Sequence, residues 1–160
     1  MPISFEVIYP DGRREWLFGE TNAHYRLADG KTIPVNDVPV WCRGCHGFSN
    51  VERLQSLEEH DREAERFAAH ASSGALSDEN ETIENEWIEM QAKRRELLKS
   101  RQTPPRCLKC GGTDHVALPT TGNKMELPTG EVVEFGEGGL ASMGQSGALR
   151  LFDRDGKRII

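Results

Sequence analysis

No stretch of this chain approaches the roughly 18 consecutive apolar residues of a membrane helix, which excludes a helical anchor within it. The start, Met1-Pro2-Ile3-Ser4-Phe5-Glu6, lacks a basic segment followed by an apolar run, so no secretion signal is expected. Cysteine is scarce: there are four in 160 residues, all in two Cys-x-x-Cys pairs with none left over. That economy, without an export signal, leads to the expectation of a cytoplasmic protein with reduced thiols. Basic charge is in deficit, with 20 Lys and Arg against 26 Asp and Glu. A chain of net charge -6 gains little from the counterion release that drives non-specific nucleic-acid binding, so such a partner is disfavoured except at a small local patch. Apolar residues make up only 36%, a modest core that an added cross-link would help. The sequence offers neither a nucleophile–base constellation nor a cofactor fingerprint, and no enzymatic activity is expected.

The charge that is present is unevenly spread. Glu52 to Lys99 holds thirteen acidic and seven basic residues, while the other thirteen of each sign cancel. One segment therefore carries the whole excess.

The pattern of elements divides the chain at 1–48, 49–103 and 104–160. In the first part Ile3, Phe5, Val7 and Tyr9 alternate with mostly polar neighbours, as a half-buried strand requires, and Trp16 with Phe18 alternates beyond the Pro10-Asp11-Gly12 turn. His24–Leu27 and Lys31–Val35 flank Ala28-Asp29-Gly30 as a second hairpin, and Val38–Trp41 leads into the first cysteine pair. The middle part switches period. Val51, Leu54, Leu57, Ala64, Phe67, Ala68 and Ala71 recur every three or four residues, predicting a helix capped by Ser49 or Asn50 and ended by Ser72-Ser73-Gly74. A second helix is expected from Ser77 or Asp78, with Asp78 and Glu81 spaced as a capping box and a stripe of Ile83, Trp87, Met90, Leu97 and Leu98. Pro104-Pro105 stops it. The short connection makes the two an antiparallel helical hairpin. In the last part His115–Leu118 is a strand. Lys124–Leu127 with Glu131–Phe135, and Leu149–Phe152 with Lys157–Ile160, read as C-terminal β-hairpins. The fold class expected is α+β.

Chemistry concentrates in Cys42, Cys45, Cys107 and Cys110. A two-residue gap lets both sulfurs of one knuckle face one metal, and two knuckles complete the closed tetrahedral set of a structural zinc. The pairs resemble the knuckles of zinc ribbons and rubredoxin-like folds, over residues 38–48 and 104–118. Cys107-Leu108-Lys109-Cys110-Gly111 fits that pattern, whereas His46 stands at the usual glycine position of the first knuckle, and Gly44 and Gly47 are expected to supply the unusual backbone angles there. The resemblance implies a small β-rich zinc-ribbon-like domain with the hairpin inserted between its ligand pairs. The insertion of 61 residues, His46 to Arg106, exceeds the roughly 15–20 of a compact ribbon. Closing the longer loop costs only about 1 kcal/mol more, against the roughly 10–16 kcal/mol that structural zinc supplies. An antiparallel hairpin also returns its ends to one place. One Zn2+ per chain is expected. A redox dithiol and a rubredoxin-type iron use the same cysteines and stay open.

Other residues carry weaker signals. His46 and His115 flank the knuckles and could replace a cysteine or hold the ligands in place, but with four thiolates available a solvated or hydrogen-bonded role is expected; His60 and His70 lie on the first helix and His24 in a strand. The glycine loop 136–147 lacks the lysine and hydroxyl of a phosphate loop, and Asp153-Arg154-Asp155-Gly156 reads as a β-turn rather than the start of a calcium loop. Lys93-Arg94-Arg95 with Lys99 and Arg101 suits a helix C-terminus, where cations meet the helix dipole. Glu58, Glu59, Asp61, Glu63 and Glu65 form an acidic face suited to a basic protein partner. The expected function is a non-enzymatic zinc-stabilised adaptor working through that hairpin. The alternatives are a nucleic-acid-associated zinc ribbon, using the basic end of the second helix with Trp16 or Trp41, and a thiol redox protein.

Overall fold

The structure, a computed structural model, describes residues 4–18, 22–72, 78–136 and 149–160. Within them lie two helices and ten strands in three sheets, a mixed α/β architecture. The strands are β1 (Ser4–Ile8), β2 (Arg14–Phe18), β3 (Ala23–Arg26), β4 (Thr32–Pro34), β5 (Asp37–Cys42) and β6 (Gly47–Glu52), then β7 (His115–Ala117), β8 (Lys124–Glu126), β9 (Val132–Gly136) and β10 (Arg150–Phe152). Between β6 and β7 come α1 (Leu57–Ser72) and α2 (Asp78–Ser100). The glycine loop, apart from Gly136, the connection 73–77 and the side chains of His70, Asp78 and Glu81 fall outside the described residues.

Each sheet draws strands from both sides of the helices. The orders are β2-β1-β9-β8, β10-β3-β4 and β6-β5-β7. The expected turns close as the Asp-Gly and Thr-Gly signals require. Gly12 donates its N–H to the Tyr9 carbonyl, Gly30 to Leu27 and Gly130 to Leu127. At the end of the chain the expected antiparallel pairing forms, with Phe152 opposite Arg158, Ile159 donating its N–H to the Leu151 carbonyl and Asp153 donating to the Lys157 carbonyl. The sequence did not announce the second pairing of this segment: β10 also runs parallel to β3, Phe152 opposite Tyr25. Asp153 does form the turn, its carboxylate accepting the N–H groups of Asp155 and Lys157.

Two cores result. Ala23, Tyr25, Ile33, Val35, Leu97, Leu108 and Phe152 pack the small β10-β3-β4 sheet against α2. Val7, Leu17, Trp41, Met125, Leu127 and Val133 form the second, with Phe48 and Phe135 at its edge.

The first helix begins later than its apolar period suggests. Val51 belongs to β6, opposite Val38, and α1 starts at Leu57. Its cap is Ser56, whose hydroxyl accepts the Glu59 N–H at 3.1 Å. Ser56 and Glu59 have the spacing of a capping box. Ser49 and Asn50 serve elsewhere: Asn50 donates its side-chain amide to the Phe18 carbonyl, and Ser49 faces a cysteine sulfur. Along α1 and α2, His60 meets Gln91, Asp61 meets Arg95 and Phe67 stacks on Trp87 with ring centroids 3.8 Å apart. Of the expected α2 stripe, Leu97 is buried, but Ile83 is 63% exposed.

Candidate metal centre

The knuckles sit at one end of the β6-β5-β7 sheet. Cys42 ends β5, Gly47 begins β6, and residues 43–46 are the tight connection between them. The second knuckle arrives beside β6. Cys107 bridges Val51, Leu108 donates its N–H to Asn50, and Glu52 donates to the Arg106 carbonyl. The chain then enters β7, whose His115 stands opposite Cys42. Backbone pairing thus carries two segments 61 residues apart in sequence to one point.

There the four cysteines converge. Their Sγ atoms all lie within 4.8 Å of one another. Cys42 and Cys110 are 3.6 Å apart, and Cys45 and Cys107 are 3.7 Å apart. A disulfide needs about 2.0 Å between sulfurs, whereas a tetrahedron of about 2.3 Å metal–sulfur bonds has edges of about 3.8 Å. The short separations join different knuckles, so the four act as one set that could hold a metal ion.

The surroundings are shaped to the sulfurs. A side chain on Gly44 would put its Cβ 3.1 Å from Cys110 Sγ, and one on Gly112 would come to 3.3 Å. The Gly112 N–H donates to Cys110 Sγ at 3.4 Å, and the Ser49 hydroxyl lies 3.2 Å from Cys107 Sγ. Burial pushes the Cys42 thiol up, and burial together with its neighbouring thiols pushes Cys45 further. Burial acts the same way on Cys107, but Ser49 and the knuckle's backbone N–H groups outweigh it and bring that thiol down to about 7. Deprotonation of Cys42 and Cys45 is therefore costly without a cation to share the charge.

The backbone of the first knuckle differs from expectation. Gly44 and Gly47 are not in the left-handed region; His46 itself is, at φ +52°, matching Gly111 of the second knuckle at φ +74°. The residue after the second cysteine is thus left-handed in both knuckles, although only one has glycine there.

The remaining candidates lie apart from the sulfurs or are engaged. His60 is buried and its Nε2 pairs with Gln91 Oε1 at 2.9 Å. Among the described residues, Nδ1 of His24 and of His115 is buried without a hydrogen-bond partner. Trp41 is core, not surface; Trp16 is exposed. The basic end of α2 is largely spent internally. Lys93 pairs with Glu89 and Asp29, Arg94 is buried and donates to the Pro34 carbonyl, and Arg95 pairs with Asp61. The acidic face is partly tied as well, through Glu58 to Arg62 and Asp61 to Arg95, while Glu59 and Glu65 are exposed.

Sequence reasoning missed a buried polar cluster below the knuckles. Glu52 is fully buried and accepts from Tyr25 Oη at 2.6 Å, Arg101 Nη1 at 2.9 Å, Arg101 Nη2 at 2.5 Å and the Arg106 N–H at 2.8 Å. Arg101 also donates to the Arg154 carbonyl at 2.9 Å. This cluster ties the exit of α2 to β3, β6 and the second knuckle. No local signal marks it, since its members come from sequence positions far apart.

The chain matches no protein-family model, no curated protein and no solved structure, so the four sulfurs and their setting carry the functional reading.

Proposed function

We propose that this chain is a non-enzymatic interaction protein in which Cys42, Cys45, Cys107 and Cys110 hold one structural Zn2+ at the base of a helical hairpin. The observation that carries the reading is the convergence of four sulfurs, two from each knuckle, at separations suited to tetrahedral thiolate coordination. Four protein ligands fill a tetrahedral ion and leave no open position for chemistry. All four sulfurs lie within 4.8 Å of one another and close pairs join the two knuckles, which favours a shared ion over a disulfide cycling within one Cys-x-x-Cys. The zinc-ribbon likeness of the knuckles fits their place at the end of the β6-β5-β7 sheet. The antiparallel contacts of α1 with α2 support reading the acidic hairpin as an arm for a basic protein partner. The pairing of Lys93, Arg94 and Arg95 within the molecule weakens the alternative of nucleic-acid contact at that end of α2.

Elemental analysis of the purified chain tests the metal: one zinc per chain is expected, and iron, no metal or two zincs would overturn the assignment. For the arm, reversing exposed Glu59 and Glu65 to lysine should lower recovery of a partner from the native host, with zinc content and helix content unchanged. Undiminished recovery would move the docking surface off α1.

A further inference from the structure

Several basic side chains of this acidic molecule have a carboxylate partner. Arg13, Arg14, Lys31, Arg43, Arg62, Lys93, Arg95, Arg101 and Lys124 all do. Behind the second knuckle lies a pocket of about 220 Å³ whose lining includes Arg106, Lys109, Lys157 and Arg158, and no Asp or Glu. Among the described residues, Lys109, Lys157 and Arg158 pair with no Asp or Glu side chain, and Arg158 Nε donates to the Ile160 main-chain oxygen at 3.2 Å.

We infer that this pocket binds a phosphate group. Four cations drawn from two segments nearly fifty residues apart in sequence converge on one concavity, with buried Leu108 and Phe152 as its floor. An apolar floor removes competing water and strengthens the attraction of the rim cations for an anion. Arg106 is fixed in place, its Nε donating to the Asp155 carbonyl and its Nη1 to the Gly111 carbonyl. Lys109, Lys157 and Arg158 are exposed and can close on a guest. The volume falls below the roughly 300–1,000 Å³ of a site for a whole drug-sized ligand, so the pocket suits a compact anion rather than a large molecule.

The competing explanation is that these cations only offset the metal centre. A zinc tetrathiolate carries two negative charges, and four cations exceed that by two. The surplus is what an anion would use. The pocket borders the sulfur cluster through Cys107 and Cys110, but none of its four cations is one of the sulfur residues, so the inference does not need the zinc reading.

The phosphate has two sources to distinguish: free phosphate, or the terminal phosphate of a nucleic-acid strand. The full-length, metal-loaded chain is titrated with inorganic phosphate by calorimetry and by amide NMR. Saturable binding is expected, with the amides of Lys109, Gly111, Lys157 and Arg158 shifting. The variant Lys157→Gln with Arg158→Gln should weaken binding at least tenfold while zinc content and thermal unfolding stay as in the native chain. A 5′-phosphorylated oligonucleotide that binds at least tenfold tighter than its 5′-hydroxyl counterpart, and is displaced by phosphate, identifies the strand end as the source. Equal, phosphate-insensitive behaviour of the two oligonucleotides alongside saturable phosphate binding identifies free phosphate. Absence of saturable binding by the native chain, shifts confined to other amides, or equal affinity in the variant would overturn the inference. Loss of zinc in the variant with phosphate affinity unchanged would show that the cations serve the metal alone, and would overturn it too.

Discussion

At the scale of single residues the molecule rests on groups whose cost is met only by their neighbours. Glu52 is the clearest. A carboxylate with no exposure is stable there because Arg101 grips both oxygens while Tyr25 and the Arg106 N–H take further lone pairs. Gly156 belongs to the same device. A Cβ there would stand 2.6 Å from both Glu52 oxygens, and its φ of +76° suits glycine. Arg101→Met removes the cation and leaves the charge buried, so it should destabilise the fold by about 3–5 kcal/mol in denaturant unfolding. Adding Glu52→Leu should recover part of that loss, because the orphaned charge goes with it. A single-variant effect under about 1 kcal/mol would show that the pair is not a keystone. The four cysteines were legible in the sequence because metal chemistry fixes their spacing locally. Glu52 was not, because its side-chain partners lie 27 and 49 residues away and nothing near it in sequence announces them.

At the scale of elements, local rules were legible wherever the determinants are local. Turn residues located the hairpins β1–β2, β3–β4 and β8–β9. The start of α1 was misjudged because Val51 and Leu54 fit a helical period by coincidence. The deciding facts are the pairing of Val51 with Val38 and Cys107, both tertiary, and the Ser56 cap. The parallel match of β10 to β3 was likewise invisible, since a short apolar run does not say which strand will accept it. These pairings set the outcome of damaging the knuckle. Cys107→Ser removes one ligand and loosens the bridge to Val51 and the Leu108–Asn50 bond. The far contacts, Phe67 on Trp87 and His60 with Gln91, do not depend on the sulfurs. Hydrogen exchange should therefore lose protection at Val51 and Leu97 before the α1–α2 contacts weaken. Uniform loss along both helices would count against a metal-anchored base.

At the scale of the whole molecule the four-cysteine cluster lies between two cores rather than under one. The residue before Cys42 is Trp41, buried in the core of the β2-β1-β9-β8 sheet. The residue after Cys107 is Leu108, buried in the core shared by α2 and the β10-β3-β4 sheet. Each knuckle thus plants a side chain in a different core, and an ion held by both knuckles would couple the two. The chain also interleaves, since every sheet takes strands from both sides of the helices, so removing the ion should not release the fold at a stroke. The expectation is decoupling. In a Trp16→Phe, Trp87→Phe variant, Trp41 alone reports the first core by fluorescence, while circular dichroism at the helix band reports α1 and α2 beside the second. With metal bound the two thermal transitions should coincide, as a cooperative unit requires. After a chelator strips the ion they should separate, both moving down, and returning zinc should merge them again. Coincident transitions in the stripped protein would mean that the sheets and the Glu52–Arg101 cluster join the cores without the metal, and the ion would then be an addition to a fold already complete.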